Sequence, residues 1–345
     1  MTPRRAGNRP VTRRQANLIN VSNGKYENAV IVGSGPAGYT AALYTARASL
    51  NPLVIEGFAW GGLLQQTTEV ENFPGFPDAI MGPELMTQMR SQAERFGARL
   101  ETDEVTGLEL SKDGGLHTVF VGSDSYQTRT VILAMGAQHR KLDVPGEELL
   151  SGRGVSYCAT CDAAFFRDVP CVVVGGGDSA MEEAIFLAKF ASKVTVVHRR
   201  DEFRASSIML ERARQVPNLE LLTPYAVQEF TAGANGSLAG ATLLNTADGT
   251  QRELELSGAF IAVGHEPQSQ LVTGQLELDS SGYVVTQANS TRTAIAGVFA
   301  AGDLVDHTYR QAITAAGSGC RAALDAEWYL RDTAAPPLAG AASTH

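Results

Sequence analysis

The residues best suited to chemistry are Cys158 and Cys161, in the run Cys-Ala-Thr-Cys-Asp. Two cysteines at this spacing either ligate a metal or exchange electrons as a dithiol and a disulfide. A structural zinc takes four ligands, and the other cysteines, Cys171 and Cys320, lie in apolar and Ala/Gly-rich stretches typical of buried small side chains. We therefore interpret the pair as redox-active.

Asp162 follows the pair directly and is a candidate to move a proton as the dithiol forms and is consumed. A helix N-terminus at the pair lowers the pKa of a thiol and so favours the reactive thiolate. The alternative interpretation of Asp162 is a negative charge that stabilises the first turn of that helix. The catalytic candidates are therefore Cys158, Cys161 and Asp162.

The elements that must position these residues form an internal repeat of strand, glycine turn, helix and strand. The apolar runs before each turn suit strands that are buried on both faces of a parallel sheet. Glycines at this spacing let backbone N–H groups approach a pyrophosphate at a helix N-terminus, and two such turns in matching context favour two dinucleotide sites. The turns are Gly33-Ser34-Gly35-Pro36-Ala37-Gly38 and Gly175-Gly176-Gly177-Asp178-Ser179-Ala180.

The charge at the end of the second strand differs between the two repeats. The first repeat has Glu56 there, whereas the second has a basic cluster at the same register. An acid accepts hydrogen bonds from ribose hydroxyls and cations suit a 2′-phosphate, so we expect FAD in the first site and NADP(H) in the second. A solvated strand end is the alternative in both cases. The basic cluster is His198, Arg199, Arg200 and Arg204.

Composition limits the function classes. The chain has 345 residues, a formal net charge of −9 and 44% hydrophobic residues, which predicts a globular protein of about two domains and no nucleic-acid partner. It contains no long apolar run or secretory signal, so we expect no membrane association and a cytoplasmic location. The acid-free, basic residues 1–25 are interpreted as a flexible arm, with an organellar transit peptide as the alternative.

From about Tyr26 to Leu330 the chain resembles the low-molecular-weight, bacterial-type thioredoxin reductases, which are class II pyridine nucleotide-disulfide oxidoreductases. In other disulfide reductases of that superfamily the cysteine pair follows the first glycine motif, whereas here it precedes the second. The motifs that carry the resemblance are the two glycine turns, the Cys-Ala-Thr-Cys-Asp run, Thr68-Glu69-Val70-Glu71-Asn72-Phe73-Pro74-Gly75, His198-Arg199-Arg200 and Gly302-Asp303.

The resemblance implies an α/β protein with two Rossmann-like, three-layer ββα domains, in which an FAD domain is split around an inserted NADPH domain. We expect the FAD domain at 26–141 and 268–331 and the NADPH domain, with the cysteines, at 142–267. Residues 332–345 are expected to be a flexible tail. The crossings near 136–143 and 264–267 are expected to act as hinges for a rotation between half-reactions.

The implied activity passes electrons from NADPH to FAD, then to the Cys158–Cys161 disulfide, and finally to oxidised thioredoxin. By the resemblance, Cys161 faces the flavin and Cys158 attacks thioredoxin. A homodimer is implied as well. Arg153, Phe165 and Phe166 are expected at the thioredoxin contact, although burial in the core is the favoured alternative for Phe166.

The resemblance also implies further cofactor contacts. The sequence departs from the family pattern at Leu63, where glutamine is usual, at Met135, where threonine is usual, and at Ala164, where an aromatic residue is common. Neither Leu63 nor Met135 interrupts the expected electron path, whereas Ala164 affects how the protein substrate docks. The implied FAD contacts are Gly62, Leu63, Leu64, Thr68, Asn72, Gly302, Asp303, Arg310, Gln311 and Ala312, and an additional NADPH contact is Gly264.

Other functions share parts of this pattern. A ferredoxin or flavodoxin reductase of similar build lacks the cysteine pair. The flavoprotein partner of alkyl hydroperoxide reductase carries a long N-terminal domain, and dithiol oxidases of this fold lose the basic cluster. A non-catalytic redox sensor is the alternative from another class, and turnover of NADPH distinguishes it from an enzyme.

Overall fold

A computed structural model describes residues 26–334 of the chain. The expected arm, 1–25, and the expected tail from residue 335 onward lie outside the described residues. The described chain divides into two compact units. The first contains residues up to Gln65, then Pro83–Gly136 and the chain from Pro267, and the second contains Gln66–Gly82 and Ala137–Glu266. The second unit thus interrupts the first in sequence.

The strands of the described residues are short, apart from three of eight or ten residues. In chain order they are β1 Tyr26–Val32, β2 Leu53–Ile55, β3 Glu69–Val70, β4 Ile80–Met81, β5 Arg99–Glu101, β6 Val105–Glu109, β7 His117–Val121, β8 Asp124–Leu133, β9 Ala137–His139, β10 Val155–Ser156, β11 Pro170–Val174, β12 Lys193–Val197, β13 Leu219–Leu222, β14 Tyr225–Ala232, β15 Leu238–Asn245, β16 Gln251–Glu255, β17 Gly258–Ile261, β18 His265–Pro267 and β19 Val298–Ala300.

The α-helices begin at the glycine turns and at the cysteine pair, among other places. In chain order they are α1 Pro36–Arg47, α2 Gly82–Arg95, α3 Ala159–Asp162, α4 Asp178–Leu187, α5 Ser207–Arg214 and α6 Ala312–Asp332. Four 3-10 turns lie at Gly62–Gln66, Ala163–Phe166, Gln270–Val272 and Gly302–Leu304.

The first unit is built on a sheet in the order β5-β2-β1-β8-β7-β6, with β19 also paired to β8. The strands β5, β2, β1, β8 and β19 run parallel, and β7 and β6 add an antiparallel edge. Alanines of α1 and α6 bury one face of this sheet. A Cβ on Gly319 of α6 would lie 2.1 Å from the carbonyl oxygen of Ala37, so only glycine lets α6 approach the start of α1 so closely.

The second unit has a parallel sheet in the order β10-β17-β11-β12-β13. One face packs against α3, α4 and α5, and the other packs against the antiparallel sheet β14-β15-β16. The layers are therefore antiparallel sheet, parallel sheet and helices. The predicted α/β class with dinucleotide-binding parallel sheets is confirmed.

The chain passes between the two units four times. The last two crossings lie at β9 and β18, which pair with each other as a two-stranded sheet. In the last crossing Gly264 takes a φ of +106°, in the left-handed region that favours glycine. Its carbonyl oxygen accepts a hydrogen bond from the Arg140 N–H at 3.0 Å. Backbone pairing therefore holds the two crossing segments side by side.

Candidate functional site

The cysteine pair forms a disulfide at the start of α3. Cys158 is the N-cap of that helix, and its Cα lies 5.4 Å from the Cα of Cys161. Cys158 is half-buried and Cys161 is exposed. The N–H groups of this short helix are bonded within the chain, since Cys161 and Asp162 both donate to the Cys158 carbonyl oxygen, at 3.3 and 3.1 Å. A pair so placed can accept and release two electrons.

Asp162 is held beside the pair by a hydroxyl that sequence reasoning did not single out. The Ser156 Oγ donates to the Asp162 carboxylate at 2.6 Å and accepts the Cys158 N–H at 3.1 Å. Burial raises the pKa of Asp162, and the hydrogen bond from Ser156 opposes that rise. The raised pKa moves this carboxyl toward the range in which it can both take and give a proton.

The first glycine turn leads from β1 into α1, with Gly35 as the N-cap and Pro36 as the first helical residue. A Cβ on Gly33 would lie 2.4 Å from the Ala134 carbonyl oxygen, so this glycine lets the turn close. Around a Cβ placed on Gly35, apart from the residues next to it in the chain, the described chain has no atom within 4 Å. The turn therefore offers helix N–H groups to open space, as a pyrophosphate site requires.

Glu56 lies where expected, after β2, but its carboxylate is buried and already bonded within the chain. Tyr39 Oη donates to it at 2.6 Å, Arg90 donates twice at 2.8 and 3.0 Å, and Thr102 Oγ1 donates at 3.0 Å. Burial raises the pKa of Glu56, yet these donors together hold it below its ordinary value. Ser34 Oγ donates to the Glu56 carbonyl oxygen at 2.6 Å, which ties the glycine turn to this network.

Asp303 supplies a buried polar atom that the described residues leave unbonded. Its Oδ1 has no hydrogen-bond partner among them, and burial raises the pKa of Asp303 to about 6. It lies in the 3-10 turn that follows β19, at the carboxyl end of the parallel sheet, where ligands of such sheets bind. This orphaned oxygen fits a hydrogen-bonding ligand such as the flavin side chain.

Local hydrogen bonds fix the backbone conformation at the start of α6. Arg310 has a φ of +47°, and its N–H donates to Asp306 at 3.0 Å. Gln311 is the N-cap of a reciprocal capping box with Thr314, and Ala312 is the first helical residue. Gly302 donates its N–H to Ser318 Oγ at 2.7 Å, which joins the Asp303 turn to this helix.

The other expected FAD contacts divide between the two units. The 3-10 turn that begins at Gly62 brings Leu63 and Leu64 into the first unit, half-buried. Thr68 and Asn72 are exposed and cluster with the second unit.

The second glycine turn leads from β11 into α4, with Gly177 as the N-cap. Apart from its neighbours in sequence, no atom of the described residues lies within 4 Å of a Cβ placed on Gly177, whereas one on Gly176 would collide with the ring of His198 at 2.3 Å. Asp178 Oδ1 accepts the Ser206 N–H at 2.6 Å, and Ser206 caps α5. The turn is thus open to a ligand at Gly177, and the hydrogen bond from Ser206 to Asp178 connects the start of α4 to the start of α5.

The basic cluster lies beside this turn. Arg199, Arg200 and Arg204 are exposed, and the Arg204 N–H donates to the Gly176 carbonyl oxygen at 2.7 Å. His198 is buried and stacks on Phe203, and burial, with Arg204, Arg200 and Arg199, lowers its pKa. Its Nε2 has no partner among the described residues. Three guanidinium groups and one free imidazole nitrogen suit a phosphate.

The aromatic residues after the pair behave differently from each other. Phe166 packs edge-on against Phe260 at 5.1 Å, as the core interpretation predicts, and Phe165 is 46% exposed. Arg153 is exposed, on a turn closed by its N–H bond to the Leu150 carbonyl oxygen. Leu149 on the same turn is 69% exposed, whereas the adjacent Leu150 is buried, and the sequence gives no signal that separates the two.

The two remaining cysteines differ. Cys171 is buried in the core of the second unit, and burial raises the pKa of its thiol to about 12. The expectation that Cys320 is buried as well is wrong, because it is only half-buried on α6, where its proximity raises the pKa of the Tyr44 hydroxyl. Although α6 is rich in alanine and glycine, one of its sides is exposed at the surface.

Comparisons with known proteins agree on one family. A family model described as pyridine nucleotide-disulphide oxidoreductase matches residues 27–319. The chain is 58% identical to the thioredoxin reductase of Mycolicibacterium smegmatis over 303 residues, 88% of this chain and 96% of that protein. It is 58% identical to that of Streptomyces clavuligerus over 304 residues, 88% of this chain and 94% of that protein.

Solved structures give the same result. A thioredoxin reductase from Giardia duodenalis superposes with a TM-score of 0.84 at 41% identity, over 89% of this chain and 99% of that one. One from Streptococcus pyogenes superposes equally well at 42% identity and the same coverage. Within residues 26–334 no helix is long and apolar enough to cross a membrane.

Proposed function

Because the chain belongs to the pyridine nucleotide-disulphide oxidoreductase family, we propose that it uses NADPH and FAD to reduce the disulfide of a thioredoxin. The observation that carries this function is the Cys158–Cys161 disulfide at the N-terminus of α3, directly before the second glycine turn. Relatives at 58% identity over most of the chain are thioredoxin reductases.

When bound, NADPH and FAD supply the electron pair that reduces the Cys158–Cys161 disulfide to a dithiol. The Cys158 thiolate then attacks one sulfur of the thioredoxin disulfide, which forms a mixed disulfide and releases one thioredoxin thiolate. The Cys161 thiolate attacks Cys158, so that the enzyme disulfide re-forms and the second thioredoxin thiol leaves. Asp162 accepts a proton from a thiol and returns one to a leaving thiolate, and two electrons and two protons pass to thioredoxin in all.

The cofactor assignments follow from the open turns and the orphaned atoms. We assign FAD to the first unit, where the turn at Gly33 to Gly38 takes the pyrophosphate and Asp303 takes a polar group of the flavin side chain. Glu56 belongs to the adenosine end of that site, where it orders Tyr39 and Arg90. NADPH is assigned to the second unit, with its 2′-phosphate on Arg199, Arg200 and Arg204 and on the Nε2 of His198.

We assign thioredoxin docking to the exposed surface formed by Leu149, Arg153 and Phe165. All three lie near the cysteine pair in sequence, and Arg and aromatic residues are typical anchors of protein interfaces. Leu149 and Phe165, 69% and 46% exposed, supply the apolar part of the surface.

A second copy of the chain is proposed as the partner of one face of α6. Ile313, Leu324 and Trp328 lie on that face at helical spacing and are 44%, 37% and 42% exposed. Tyr44 of α1 is 41% exposed and lies close enough to Cys320 of α6 for that cysteine to raise the pKa of its hydroxyl. Several exposed apolar side chains on one face of a helix are typical of an interface between copies. We also propose that the protein acts in the cytoplasm and that 136–143 and 264–267 serve as hinges.

The test is NADPH oxidation in the presence of an oxidised thioredoxin by the flavin-loaded protein. We expect turnover that is lost in Cys158→Ser, kept in Cys320→Ser and much weaker with NADH. If the wild-type protein oxidises NADPH with a small-molecule acceptor but leaves thioredoxin oxidised, the thioredoxin assignment fails. If it does not oxidise NADPH under any condition, the enzymatic function fails.

A further inference from the structure

Ser156 lies at the end of β10, buried, between the two chemical parts of the redox site. Its hydroxyl touches the carboxylate of Asp162 on one side and the backbone of Cys158 on the other. The first contact joins residues six positions apart, across the turn that carries the disulfide. No other part of the proposed cycle uses this hydroxyl.

The direction of each hydrogen bond follows from the number of protons available. A serine hydroxyl has one proton and two acceptor lone pairs. The ionised Asp162 carboxylate only accepts, so the hydroxyl proton goes to its Oδ2 at 2.6 Å, and the Cys158 N–H donates to the lone pair at 3.1 Å. The Cys158 carbonyl oxygen, 3.5 Å from the Oγ, instead accepts the Asp162 N–H at 3.1 Å. Cys158 and Asp162 are therefore linked twice, once through the Ser156 hydroxyl and once by a backbone hydrogen bond.

The surroundings of Asp162 offer little else to stabilise its charge. On α4, which packs against α3, Glu183 accepts the Ala159 N–H at 3.4 Å and brings a second acid to the helix start. Neither β10 nor the 3-10 turn Ala163–Phe166 carries an ionisable side chain. Burial raises the pKa of Asp162, and the hydrogen bond from Ser156 is the interaction that lowers it.

We infer that Ser156 is a positioning residue for thiol–disulfide exchange, because its hydroxyl orients the Asp162 carboxyl and anchors the N-terminus of α3 at Cys158. The inference rests on the proposed function. In each cycle the Cys158 thiol gives its proton to Asp162, and the resulting thiolate attacks the thioredoxin disulfide. Asp162 then returns the proton to a departing thioredoxin thiolate, so the carboxyl must keep one orientation through both transfers.

The experiment compares Ser156→Ala with Ser156→Thr, and with Ser151→Ala as a matched control in the same segment, where the serine is exposed. The pH profile of kcat/KM for thioredoxin reduction is measured for each, and the limb that belongs to Asp162 is the one lost in Asp162→Asn. Loss of a hydrogen bond to a charged group moves that limb upward by about one pH unit in Ser156→Ala. Ser156→Thr keeps a hydroxyl and shows the wild-type pH profile, and Ser151→Ala shows the wild-type profile as well.

A second measurement does not depend on turnover. The infrared carboxyl band that is absent in Asp162→Asn is titrated in the oxidised protein, and its midpoint moves upward in Ser156→Ala. If Ser156→Ala does not fold, Ser156→Val is compared with Ser156→Thr, since the two differ only in a methyl group and a hydroxyl. Equal profiles for variants with and without the hydroxyl overturn the inference. A wild-type protein that leaves thioredoxin oxidised overturns the proposed function instead.

Discussion

Replacement of Arg90 by methionine removes the only cation bonded to the buried carboxylate of Glu56 in the described chain. Arg90 donates to both carboxylate oxygens, at 2.8 and 3.0 Å, and the Glu56 side chain is fully buried. Breaking a buried pair by removing one partner costs about 3 to 5 kcal/mol because a charge stays behind unpaired. Since 28% of the Arg90 side chain is exposed, we expect the lower end, about 3 kcal/mol.

The assay is equilibrium urea unfolding of Arg90→Met, with Arg95→Met on the same helix as the control. In the wild type the pKa of Glu56 is lowered. Its contribution to the free energy of unfolding is therefore present above the pKa it has in the unfolded chain, and is lost as the pH falls through its pKa in the folded protein. Without Arg90, burial raises that pKa, and the deficit of the variant shrinks as the pH falls. A Glu56→Gln/Arg90→Met double variant recovers much of the loss. An Arg90→Met deficit no larger than that of Arg95→Met, or constant with pH, refutes the reasoning.

Four further outcomes are expected. Burial lowers the pKa of His117 to about 4, so the folded state resists its protonation and loses about 2 kcal/mol between pH 7 and pH 5; urea unfolding of His117→Gln lacks this part of the pH dependence. Arg200→Ala raises KM for NADPH by about 10-fold or more and leaves KM for NADH unchanged in steady-state kinetics. Leu149→Glu raises KM for thioredoxin about 10-fold, whereas NADPH-dependent reduction of a small aromatic disulfide keeps the wild-type rate. Trp328→Glu sediments as a monomer, while the control Ile208→Glu, on an exposed position of α5, sediments like the wild type.

The parts of the site that the sequence predicts are those whose chemistry is local. The glycine turns, the cysteine pair and the helix that starts at Cys158 each occupy a few consecutive residues, and spacing alone indicates their geometry. The parallel sheets follow from apolar runs flanked by glycine turns for the same reason. Such features depend on backbone conformation, which neighbouring residues determine.

Contacts between distant residues were beyond sequence reasoning. Arg90 and Tyr39 reach Glu56 from positions that carry no motif, and the half-buried state of Cys320 depends on which face of α6 meets α1. A single charged residue on an amphipathic helix gives no sign of its partner, because many acids lie within reach of a flexible side chain. Pairing of this kind is decided by the tertiary fold.

The two dinucleotide turns share a backbone design but differ in how their strand-end charges are balanced. In the first, the chain neutralises Glu56 from within through Arg90, so under the proposed assignment the ligand is recognised by shape and by groups such as the orphaned oxygen of Asp303. In the second, neither Arg199 nor Arg200 forms an ion pair within residues 26–334, and their charge remains available to an incoming anion. We therefore expect the two turns to bind different dinucleotides, because the protein neutralises the charge at one strand end and leaves the charge at the other available.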